Sequence, residues 1–246
     1  MNPILISSLA LAGLAAGWGL RAAIVRYAVP AGQPARRCCP ACGIKILAAR
    51  WPWLPLAPSG RCSACGQRCG PPALAVEGMT AILLGAFAAR LHLGLVLAAA
   101  CWLALCAVPL AFIDAAVRRL PDLLTAAAYI GTAALLLLAA AISGDWHTLA
   151  QAMLGGLALA GFYLALALIS PAGMGLGDVK AAASLGTLLA WFGWRTLFAG
   201  AVAGFLLAAV YGTALLLSGR ATRKQHIPFG PFMIVGAFAV MLAWHA

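Results

Sequence analysis

Apolar runs close to the length of a bilayer crossing follow one another along the chain, and they restrict its folding more than any other feature. They lie at roughly 3 to 25, 73 to 90, 93 to 113, 123 to 143, 148 to 170, 181 to 197, 198 to 218 and 229 to 245. A helix of about 20 apolar residues spans the hydrocarbon layer, and inside lipid a helix satisfies its own backbone. The expected fold class is an all-α polytopic membrane protein with about eight transmembrane helices. The softest boundary lies in 181 to 218, where "GWRT" is the only break; without it the count would be seven. A mean hydropathy of +1.01 with 9% charged residues excludes an ordinary soluble domain. The first run lacks the basic start and cleavage site of a secretory signal, so it is expected to stay as a helix.

Basic residues in short loops set orientation. With the N-terminus outside, the inner loops receive Arg26, Arg36, Arg37, Lys45, Arg50, Arg61, Arg68, Arg118, Arg119, Lys180, Arg220, Arg223 and Lys224, which is 13 of the 16 Lys and Arg. That bias also explains most of the net charge of +11. Because the charges are spread over four loops beside membrane spans, a nucleic-acid partner is not expected, whereas lipid is.

The long loop after the first run contains Cys39-Pro-Ala-Cys42-Gly and Cys62-Ser-Ala-Cys65-Gly, with 19 residues between the two. This spacing suits a four-cysteine zinc site. Two residues between thiolates let both sulfurs face one tetrahedral ion, and four thiolates leave no position for water, so the site would be structural. Disulfides and free thiols are the alternatives, and a cytoplasmic loop argues against disulfides. Cys38 could replace Cys39, Cys69 has no assigned role, and Cys101 and Cys106 read as small core residues. The expected organisation is a first transmembrane helix at 1 to 25, a cytoplasmic zinc-binding loop at 26 to 72, and a membrane core at 73 to 246.

Only five acids occur: Glu77, Asp114, Asp122, Asp145 and Asp178. A carboxylate at the edge of hydrocarbon is costly enough to mark a functional site by default. Asp145 lies in an outer loop and reads as solvated. Asp122 follows Pro121 and reads as an acid at a helix start. Asp114 ends the third run, and Asp178 ends the turn after the fifth, in "GMGLGD". The 64 residues from one to the other hold one outward and one returning helix, so both reach the same face. Two acids at equal depth can share a proton, as in aspartic proteases. Gly173, Gly175 and Gly177 would clear space for a peptide beside Asp178. A plain loop with Asp178 and Lys180 paired near headgroups is the alternative. The scattered His92, His147, His226 and His245 do not form a metalloprotease motif.

These motifs resemble those of the type IV prepilin peptidases, bacterial inner-membrane aspartic proteases. "IDAAVRRLPD" (113 to 122), "GMGLGDVK" (173 to 180), "HIPFGPF" (226 to 232) and the twin cysteine knuckles are similar to that family's motifs, in the same order. The resemblance implies that Asp114 and Asp178 are catalytic, with Gly175, Gly177, Lys180 and Asp122 supporting the site. It implies a prepilin or pseudopilin substrate, cut at the cytoplasmic face before its hydrophobic helix. It also implies N-methylation of the new N-terminus with S-adenosylmethionine, for which Glu77 is the candidate residue. The start departs from the family pattern: in "GWGLRAAIVRYAVP" (17 to 30), Arg21 stands where asparagine is expected. A presenilin-like intramembrane protease, or a protease without methyltransferase activity, is the alternative.

Overall fold

A computed structural model describes residues 3–30, 32–46, 60–92, 94–170, 175–219 and 228–244. It is all-helical: α1 (Pro3–Tyr27), α2 (Ala75–Arg90), α3 (Leu95–Val117), α4 (Asp122–Ser143), α5 (Trp146–Ile169), α6 (Leu176–Trp191), α7 (Trp194–Leu217) and α8 (Gly230–Trp244). Five of these, α1, α3, α4, α5 and α7, are long and apolar enough to cross a membrane. The protein is therefore a multi-pass membrane protein.

Two boundaries differ from the sequence reading. The sixth helix starts at Leu176 and ends at Trp191, about five residues earlier at each end than the expected 181 to 197. Its start is earlier because the Asp178 carboxylate accepts the Gly175 N–H at 3.1 Å and so caps the first turn. Asp178 therefore lies inside a helix, one turn from its start. Its end is earlier because Gly193 takes a φ of 120°, a value side chains resist, and breaks the helix before Arg195. That break makes α6 and α7 separate helices and gives a count of eight among the described residues.

Helix α3 is the most deeply buried of the five long spans. It packs on α1, α2, α4, α6 and α8, and its Leu97, Leu103, Ala104 and Leu110 lie in the same core cluster as Leu185 and Leu188 of α6 and Phe238 and Met241 of α8. Around it stand three helix pairs, α1 with α2, α5 with α6 and α7 with α8. Small residues set how closely each pair approaches, because apolar burial gives helices no incentive to associate within lipid. A Cβ at Gly13 would sit 2.7 Å from the Ala81 backbone, and one at Gly236 would run into the Gly204 backbone. Outward residues such as Ile142, Leu168 and Leu217 are more than 70% exposed, as a lipid-facing surface requires.

Between α1 and α2, residues 60–70 fold back beside residues 38–45. Cys39, Cys62 and Cys69 pack against Ala22 and Val25 of α1.

Candidate active site

Asp114 lies one turn before the end of α3 and is 5% exposed. Its Oδ2 accepts a hydrogen bond from the Gly230 N–H at 3.0 Å. Gly230 is the first residue of α8, so an unused helical amide and the positive end of the helix dipole face the carboxylate. Asp178 is 8% exposed. Its Oδ2 takes the Gly175 amide, and its Oδ1 is buried without a hydrogen-bond partner among the described residues. The two carboxylates stand on α3 and α6, whose ends meet where the backbone before Asp178 packs on the turn that follows Asp114.

Gly177 brings them together. A Cβ at this position would meet the Leu120 Cβ at 2.8 Å. Leu120 belongs to the short turn joining Asp114 at the end of α3 to Asp122 at the start of α4, so the bare backbone of Gly177 seats the α6 start on that turn. Its role is thus helix packing, whereas sequence reasoning had it clearing room for a peptide. A Cβ at Gly175 would meet little, the nearest atom being Asp178 Oδ2 at 3.8 Å, and what this residue contributes is its amide. Gly173 lies outside the described residues, as do His226 and His245.

Asp122 begins α4, whose N-cap is Pro121, and its side chain caps nothing. Instead Asp122 Oδ1 accepts a hydrogen bond from Lys180 Nζ at 2.6 Å. This pair ties α4 to α6 at the edge of the site. Both side chains are more than half exposed, so the tie contributes little stability.

Glu77 is buried in the first turn of α2 and lies 3.4 Å from Arg21 Nε of α1. Its Oε2 has no hydrogen-bond partner among the described residues. Sequence reasoning missed this pairing, although a basic residue inside an apolar helix is itself a sign of a buried acidic partner. Gly17 allows it, because a Cβ there would meet the Glu77 Cα at 2.5 Å.

The cysteine loop forms two matching knuckles. Cys39 N–H donates to Ile44 O and Cys62 N–H to Gln67 O, each at 2.8 Å; Gly43 N–H donates to Cys39 O and Gly66 N–H to Cys62 O, each at 3.0 Å. Gly43 and Gly66 take φ values of 72° and 70°. The Sγ atoms of Cys39, Cys42, Cys62 and Cys65 all lie within 4.8 Å of one another, a set that can hold a metal ion. The Cys42 amide pulls the Cys39 thiol down to about 6, and the Cys65 amide likewise lowers that of Cys62. Ligand thiolates need this stabilisation. Cys38 is exposed and stands outside the set. Cys69, unassigned from the sequence, places its sulfur 3.8 Å from that of Cys39. Cys101 and Cys106 are core residues of α3. Beside the knuckles a cleft of about 440 Å³, lined by Arg36, Cys69, Phe112, Ala116 and Val117, reaches the last turn of α3, just past Asp114.

Residues 97–217 match the type IV leader peptidase family. The prepilin leader peptidase/N-methyltransferase of Aeromonas salmonicida is 34% identical over 215 residues, covering 84% of this chain and 71% of that protein. The chain belongs to the type IV leader peptidase family. The enzyme of the same name from Pseudomonas aeruginosa is 32% identical, over 83% of this chain and 70% of its own. That from Bacillus subtilis is 30% identical, over 74% and 71%. No solved structure matches the chain at a significant level. As a type IV leader peptidase, this protein is a membrane aspartic peptidase, and all four carboxylates discussed above lie within the span shared with the Aeromonas and Pseudomonas relatives or in the matched region.

Proposed function

We propose that the protein is a prepilin leader peptidase that cuts the basic leader from type IV prepilins or pseudopilins, with Asp114 and Asp178 as its catalytic pair. One observation carries the assignment of residues: two buried carboxylates from different helices, each anchored through Oδ2 by a single backbone amide at a helix start. Anchoring one oxygen leaves the other for chemistry. In the reaction, an ionised carboxylate takes a proton from water while the water oxygen attacks the scissile carbonyl carbon. The partner carboxyl, protonated, donates to the carbonyl oxygen. The C–N bond then breaks and the leaving amine takes up a proton. Asp178 Oδ1, with no partner among the described residues, is the oxygen free to receive the proton of water. Gly230, by holding Asp114, orients the second carboxyl.

The active site faces the cytoplasm of a bacterial inner membrane and the N-terminus lies outside, because this arrangement places most Lys and Arg in the inner loops. The knuckle sulfurs hold zinc in a structural role; the closed set of four thiolates excludes catalytic water. The second activity is methylation of the new N-terminus, for which S-adenosylmethionine supplies the methyl group. Glu77 fits a role there, since its buried Oε2, without a partner among the described residues, can accept a hydrogen bond from an ammonium group of the substrate or cofactor. Arg21 sets the orientation of that carboxylate.

Replacing Asp114 or Asp178 singly by Asn and following prepilin processing in membranes tests the assignment. Each substitution is expected to abolish cleavage; processing that persists in either variant rejects the pair.

A further inference from the structure

The fully buried Tyr163 takes no part in the account above. It lies on α5 and is 0% exposed. Its ring stacks on Phe205 of α7, with centroids 5.7 Å apart, and packs at 5.7 Å on Phe229. Phe229 immediately precedes Gly230, the residue that holds Asp114, and itself packs on Phe205 at 5.0 Å. The tyrosine is thus wedged against the segment that anchors one aspartate. It also lies on α5, which pairs with α6 with Gly156 facing Thr187 and Leu159 facing Gly186, a register that places Tyr163 one helical turn from the level of the other aspartate, Asp178.

Packing accounts for the ring but not for the oxygen. The Tyr163 hydroxyl has no hydrogen-bond partner among the described residues, and neither has Asp178 Oδ1. A phenylalanine would fill the same space without burying an unsatisfied donor. A carboxylate shielded from bulk water needs donors on both oxygens, and Asp178 receives one only on Oδ2. A spare donor on α5 and a spare acceptor on α6, both buried, thus lie about one turn apart along the same helix pair.

We propose that Tyr163 is a positioning residue of the peptidase reaction: its hydroxyl hydrogen-bonds a water shared with Asp178 Oδ1 and so fixes the orientation of that carboxylate toward the substrate carbonyl. This role rests on Asp114 and Asp178 being the catalytic pair. The water mediates the contact because the two atoms are not directly hydrogen-bonded, and one water can satisfy both. The aromatic pile holds the hydroxyl rigidly, as orientation of a catalytic group requires.

The test is Tyr163→Phe, which removes the hydroxyl and keeps the ring, compared with Tyr163→Leu, which also breaks the pile. Purified proteins in detergent are assayed on a prepilin for kcat and KM, with Asp178→Asn run alongside, and melting temperatures are recorded. Tyr163→Phe is expected to lower kcat by about tenfold while KM stays within about twofold and the melting temperature is unchanged. A wild-type kcat in Tyr163→Phe overturns the proposal, as does a rise in KM alone or a kcat loss matched by the melting loss of Tyr163→Leu. Full processing by Asp178→Asn would instead overturn the catalytic pair itself, which separates the two failures.

Discussion

At the scale of single residues, two glycines decide where the carboxylates stand. An alanine at Gly177 would press its methyl group into Leu120 at 2.8 Å. The helix start must then lift off the α3–α4 turn, and Asp178 moves with it. An alanine at Gly230 would meet Asp114 itself, at 2.8 Å from Oδ2 and 3.2 Å from Cγ. There the obstacle is the end of a side chain, which can swing away and leave the fold in place. Gly230→Ala is therefore expected to keep the wild-type melting temperature and to lose at least about tenfold in kcat on a prepilin, since small displacements of a catalytic group are costly. Steady-state kinetics and a thermal melt on one preparation check both halves.

Each aspartate could be found in the sequence because acids are so scarce among the apolar runs, and their shared face followed from counting helices. The amides that hold them were not legible: Gly230 is 116 positions from Asp114, and no local pattern signals such a contact. The same holds for Arg21 with Glu77, and for Cys69, which the knuckle spacing does not include.

Among elements, the helix pairs depend on glycine where a soluble bundle would depend on larger apolar residues. Gly236 of α8 faces the backbone of Gly204 of α7, so a Leu at Gly236 has no room and must separate the pair. Gly236→Leu is expected to destabilise the protein by about 1–3 kcal/mol, read as a lower melting temperature in detergent. The knuckle pair is a second unit. If a bound metal orders it, Cys62→Ser or a strong chelator under reducing conditions should remove stoichiometric zinc, measured by metal analysis, and make residues 38–69 far more sensitive to protease. Zinc content unchanged in Cys62→Ser would exclude that thiol as a ligand.

The eight helices of the described residues were legible as apolar runs, although only five of them are long enough to count as spans by hydrocarbon thickness. The register of α6 was not: the break was rightly seen in "GWRT", but the run was carried on to 197, whereas the backbone of Gly193 ends the helix at Trp191. The identity of the cap on α6 was hidden as well, because Asp178 both ends a glycine-rich turn and starts a helix.

For the whole molecule, the proposed orientation, drawn from the charge bias, puts the knuckles and both aspartates on the inner face. Single reporter cysteines in a background lacking the native ones, probed with a membrane-impermeant thiol reagent on intact cells, check it. In that orientation labelling is expected at Ser143, the last residue of α4, and not at Ser218, just after α7.

The bond from Gly230 to Asp114 also imposes an order in time. α3 leaves the ribosome long before α8, so the third helix enters the membrane with its acid unclamped, and the pair is complete only when the final helix docks. If Asp114 and Asp178 are the catalytic pair, a growing chain that lacks α8 is expected to be an idle protease during its own insertion. A chain ending before Gly230 should insert, stay inert toward prepilin, and regain cleavage when α8 is supplied as a separate peptide.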